Sequence, residues 1–80
     1  MDDSIILQKV TDLTEEEQSL EASHEHQPLS KEQLARLRAI EIELDQCWDL
    51  LRRRRARRAA GLNPDDERLR PESIVENYEQ

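Results

Sequence analysis

The segment from Ser30 to Gly61 constrains this chain most, because it carries a start signal, a stop signal and no proline or glycine in between. Ser30-Lys31-Glu32-Gln33 has the form of a capping box, with a hydroxyl at the N-cap and an amide three residues on. Gly61, the chain's one glycine, is the natural stop; arginines precede it and Asn63-Pro64 follow. The spacing predicts a helix over residues 31–60, roughly 45 Å long at about 1.5 Å per residue. Leu34, Leu37, Ile40, Leu44, Cys47, Trp48 and Leu51 fall within an arc of roughly 140° on it. That is a broad core face, and a weaker stripe of Ala35, Ala39, Ile42 and Leu50 lies on the other side.

A rod of this length needs a partner along its side. Upstream, Ile6, Val10, Leu13 and Leu20 recur at helical spacing, which predicts a first helix over about 3–26 with Asp2, Asp3 or Ser4 as N-cap. Pro28 then forces a turn, and a short connection makes consecutive helices antiparallel neighbours. Downstream, Asn63-Pro64 and Pro71 open two short tail helices, about 64–69 and 71–79. The fold class is therefore all-α: one domain over residues 1–80, a long antiparallel helical hairpin with a short C-terminal helical tail. With 80 residues, no Phe and only Trp48 and Tyr78 as aromatics, the core is thin. A single core of this size rarely supplies more than about 3–5 kcal/mol, so the hairpin is expected to dimerise into a bundle.

The net charge of −7 conceals a block of opposite sign. Arg52, Arg53, Arg54, Arg55, Arg57 and Arg58 stand between an acidic N-terminal stretch and an acidic tail. By helical position Arg55 and Arg58 continue the face of Leu44 and Leu51, so an apolar stripe turns cationic before the helix ends. The plainest reading is a solvated helix C-terminus whose charge suits the dipole and meets Asp2, Asp3 and Glu72. The functional readings are an acidic protein partner, docked by these arginines with Trp48, and, second, a nucleic acid phosphate backbone. Against the second stand the acidic flanks and the lack of any aromatic within the run. Trp48 itself is expected as the core anchor or, if partly exposed, as an interface hot spot.

Other constellations carry less. Glu21-Ala22-Ser23-His24 has the Glu-x-x-His spacing of dimetal carboxylate bundles. Yet Glu17, Glu21, His24, His26 and Glu41 cannot be gathered neatly by one hairpin, so no metal or other cofactor is expected. Cys47 sits mid-helix on the apolar arc with no histidine near it in sequence, where thiols are inert. One glycine rules out a phosphate-cradling loop, and no Ser-His-Asp order suggests hydrolysis. The expectation is a non-enzymatic protein. A single cysteine fits a reducing cytoplasm, and neither a positive leader nor an apolar run of membrane-spanning length is present.

Leu44-Asp45-Gln46-Cys47-Trp48-Asp49-Leu50-Leu51 followed by the arginine run, with Arg70-Pro71-Glu72-Ser73-Ile74-Val75-Glu76-Asn77-Tyr78 at the end, resembles an uncharacterised family of short actinobacterial proteins. The likeness runs the length of the chain. It implies a source and a size, and no functional residue comes with it.

Overall fold

Caps decide where the helices begin and end. The Asp2 carboxylate accepts from the Ile5 amide at 3.1 Å and opens α1, Asp3–His24. Ser30 and Gln33 form both halves of the capping box, at 3.1 and 2.8 Å, and open α2, Lys31–Ala59. At the far end Gly61 takes φ 75°, and the amides of Gly61 and Leu62 donate to the carbonyls of Arg58 and Arg57. This is a Schellman closure, which needs a left-handed residue at that position.

The computed structural model describes residues 2–75. After α2 come a 3₁₀ turn, Pro64–Asp66, capped by Asn63, and a short helix α3, Glu72–Val75; the described residues contain no strand. The first helix thus stops at His24 rather than 26. The segment expected as a helix over 64–69 is a single turn, because Glu67 is already extended. Of the second expected tail helix, residues 72–75 are helical, and the remainder lies outside the described residues.

The hairpin is one layer deep, with extents of 50 × 27 × 15 Å. Ile6, Val10 and Leu13 of α1 are buried, and Ile6 and Val10 pack against Cys47 and Leu50 of α2. Arg36 of α2 forks onto Glu16 of α1 at 2.6 and 2.8 Å, a rim contact at the turn end of the hairpin. The tail runs back along a second side of α2. There Gln46 Nε2 donates to the Arg70 carbonyl at 3.1 Å, and Arg70 Nε lies 3.7 Å from Asp49. Val75 is buried at its end.

The core face of α2 differs from the broad arc read in the sequence. Ile40, Cys47 and Leu50 are 0–2 % exposed, whereas Leu34 and Trp48 are 54 and 46 % exposed. Leu50, placed by its spacing on the weaker stripe, belongs to the core, and Trp48 does not anchor it. Leu44 and Leu51 are half-buried along its edge. The apolar arc is too wide for one neighbouring helix, so α1 covers only one margin of it.

Candidate interaction surface

The arginine run is divided between two environments by helical position. Ile40, Cys47 and Arg54 follow one another at intervals of seven, so Arg54 occupies the turn where the core stripe would next place an apolar residue. It is buried to 4 % exposure. Its Nε donates to Asp3 at 2.6 Å, and its Nη1 donates to the Pro64 carbonyl at 3.1 Å and to Asp65 at 3.0 Å. One guanidinium thus ties the start of α1, the end of α2 and the 3₁₀ turn together.

Its neighbours extend the network. Arg53 bonds Asp49, Glu67 and the Arg68 carbonyl. Arg57 Nε donates to Glu67 at 3.0 Å, and Arg58 Nη2 donates to Asp3 at 2.8 Å. Asp49, itself buried, is held by Arg53 at 2.9 Å. The acids that receive these arginines include Asp3, as anticipated, but also Asp49, Asp65, Asp66 and Glu67. Asp49 pairs with Arg53 one helical turn away, and Asp65, Asp66 and Glu67 are missed because their segment is expected as a helix of its own with those acids in its first turn. The available signal was the charge count: three consecutive acids at Asp65-Asp66-Glu67 just after six arginines.

Hydrogen bonds from Arg54 and then Arg58 hold the Asp3 carboxyl below its ordinary value. Arg57 and then Arg53 do the same for Glu67, and Asp3 with Asp65 raises Arg54 further above its normal range. For the carboxyls the sign is that of a depressed acid. Their contribution is complete above the unfolded-state values, about 3.9 for Asp and 4.3 for Glu, and drains away as pH falls through the lower folded values. The thermal midpoint should therefore hold steady from pH 7 to about 5 and decline below about 4. Asp3→Asn should flatten the acid limb, and an identical limb in that variant would refute the assignment.

Arg55 points the other way. It is exposed, and it lines a shallow groove with Trp48, Leu51, Arg52 and Arg58 of α2 and Asp3 and Leu7 of α1. Leu7 is 46 % exposed, like Trp48. The groove therefore has an aromatic and aliphatic floor and a rim of guanidinium groups. A second hollow, lined by Arg53, Ala56, Arg57, Leu62, Glu67 and Arg70, belongs to the internal network.

The remaining candidates are placed as follows. Burial pushes the Cys47 thiol above its ordinary value, the direction that suppresses thiolate formation. Among the described residues no three His, Cys, Asp or Glu side chains come together in a group able to hold a metal ion. No helix formed by them is long and apolar enough to cross a membrane.

Over residues 2–80 the chain matches the family model described as a protein of unknown function, DUF2630. It is 49 % identical over 77 residues to the uncharacterized protein Rv0898c of Mycobacterium tuberculosis, and equally to Mb0922c of Mycobacterium bovis. Each alignment covers 95 % of this chain and 88 % of the relative. No solved structure matches. The mycobacterial relatives agree with the actinobacterial resemblance carried by the Leu44–Leu51 segment, the arginine run and the Arg70–Tyr78 end, and the chain belongs to the DUF2630 family.

Proposed function

We propose that the protein is a non-enzymatic helical interaction module, acting in the cytoplasm, that captures an acidic amphipathic helix in the groove of Trp48, Leu51 and Leu7 rimmed by Arg52, Arg55 and Arg58. The half-exposed Trp48 supports this reading most. A tryptophan left 46 % exposed in a chain with only one other aromatic residue is expensive unless something covers it, and Trp flanked by Arg is the composition of interface hot spots. Arg53, Arg54 and Arg57 are spoken for by the chain's own acids. They shape the surface by holding α1 and the tail in place, and Arg52, Arg55 and Arg58, the last of them also bonded to Asp3, line the groove where a partner's carboxylates would dock.

The nucleic acid reading has weaker support. Arg53, Arg54, Arg57 and Arg58 already lie on carboxylates, so few counterions remain to be released on binding phosphate.

Trp48 is the chain's one tryptophan, so its emission reports directly on the groove. Titration with a synthetic helical peptide carrying Leu at heptad core positions and Glu at the flanks should shift that emission to the blue, with a Kd on the order of 10 μM. Replacing Arg52, Arg55 and Arg58 together with Gln should weaken binding at least about tenfold while far-UV circular dichroism stays unchanged. Equal affinity in the triple variant would count decisively against the reading. Tighter binding to an RNA or DNA oligonucleotide than to the peptide, with a steep salt dependence, would replace it with the phosphate alternative.

A further inference from the structure

The broad apolar arc on α2 resolves into two seams. One, marked by Ile40, Cys47 and Arg54, faces α1. The other contains Leu37, Leu44 and Leu51 at intervals of seven, interleaved with Leu34, Glu41, Trp48 and Arg55 at the same interval. At about 100° per residue the second seam lies roughly 85° around the helix from the first. The tail is on the other flank of the core, at Gln46, Asp49 and Arg53. Leu37, Leu44 and Leu51 are half-buried, Leu44 and Leu51 resting on the core cluster at one edge of the seam, while Leu34 and Trp48 along its outer edge are exposed. An alternation of three and four residues sustained from Leu34 to Arg55 is the pattern of a helix that pairs with another helix along its length.

We propose that the occupant of this seam is the α2 helix of a second copy, laid antiparallel about a two-fold axis near Trp48. The inference rests on the interaction-surface reading above for the groove at Trp48 and gives that groove a different occupant, whose acids Glu41 and Asp45 are the ones that meet the arginines. Charge selects both the partner and the direction. The seam is acidic at Glu41 and basic at Arg55, and Asp45 and Arg52 flank it one position to the side. Antiparallel pairing with level residues summing to about 96–99 sets Trp48 against Leu51 of the second copy. It also brings Glu41 level with Arg55 and Arg58 and Asp45 level with Arg52. A parallel pair would stack Glu41 on Glu41 and Arg55 on Arg55, and like charges in register oppose association. Neither Glu41 nor Arg55 forms an ion pair among the described residues, so the contact between these two breaks no ion pair of the protomer. A two-fold interface of this kind closes on itself, producing a four-helix arrangement in which α1 of each copy lies against its own α2.

Sedimentation equilibrium of the full chain, from about 1 to about 200 μM, should show a reversible monomer and dimer with a Kd on the order of 10 μM. Glu41→Arg and Arg55→Glu should each weaken the dimer at least about tenfold. The double variant, which exchanges the charges, should restore it to within about threefold. Circular dichroism of each variant checks that the exposed substitutions leave the protomer folded. A chain that stays monomeric throughout overturns the dimer, as does a dimer indifferent to the single reversals. If that same monomer still binds the Glu-rich peptide, only the self-pairing fails and the groove reading survives.

Discussion

Ile6→Ala should remove most of the protein's stability. Ile6 is 1 % exposed and sits in the cluster with Val10, Cys47 and Leu50. Cutting a buried isoleucine to alanine costs about 2–5 kcal/mol, depending on how far the site collapses. In a one-layer hairpin the loss falls on a total that a core of this size puts at roughly 3–5 kcal/mol. With a midpoint shift of about 4–8 °C per kcal/mol in chains of this length, thermal unfolding by circular dichroism should drop by at least about 10 °C. Ile5→Ala is the matched control. It removes the same atoms from a side chain 56 % exposed and should move the midpoint by no more than a few degrees, since surface substitutions stay within about 0.5 kcal/mol. Equal effects from the two would mean that the contact of α1 with α2 is not centred on Ile6.

The helices themselves were legible because their signals are local. Asp2, the Ser30–Gln33 box and the Gly61 stop are each satisfied by groups a few residues away, so the sequence contains the whole cause. The facing of α2 was less legible. Amphipathic periodicity says that one side is apolar, but it cannot divide a 140° arc between the part that packs on α1 and the part that stays exposed at Leu34 and Trp48. Leu50 and Trp48 consequently exchanged roles. The tail was misread for a related reason. Proline and first-turn acids signal a helix at Pro64–Asp66, and that local preference yields after one turn because Asp65, Asp66 and Glu67 are drawn onto Arg54, Arg57 and Arg53. Those attractions span 9 to 14 residues and cross between elements, beyond the reach of any window of local propensity. The acidic-partner idea drew on the same arginines, and for Arg54 the nearest acids are internal.

Asp3 and Arg54 form a contact whose two halves should behave unequally when removed. Arg54 is buried in a core position, whereas the side chains of Asp3 and Asp65 are 32 and 64 % exposed. Asp3→Ala takes the 2.6 Å partner from a guanidinium buried to 4 % exposure, and takes the 2.8 Å partner of Arg58 with it. Removing a carboxylate from a buried charge is the expensive way to break such a contact, even with Asp65 and the Pro64 carbonyl still on Arg54. Arg54→Met instead puts an apolar side chain beyond Cys47 on the core stripe and leaves two carboxylates that hydrate where they stand. Replacing a buried charge by an apolar side chain of similar volume is often close to neutral. The midpoint of Asp3→Ala should accordingly fall by on the order of 10 °C, and that of Arg54→Met by no more than a few degrees. In the double variant the Asp3→Ala cost should shrink to what remains of its place in the first turn of α1, where a carboxylate favours the helix dipole by about 0.3–1 kcal/mol. A larger loss for Arg54→Met than for Asp3→Ala would show that the three-way tie among α1, α2 and the 3₁₀ turn outweighs the burial of its charge. The ion network would then be what holds the tail, and in about 1 M salt, where the screening length is about 3 Å, residues 64–75 should lose hydrogen-exchange protection before the hairpin does.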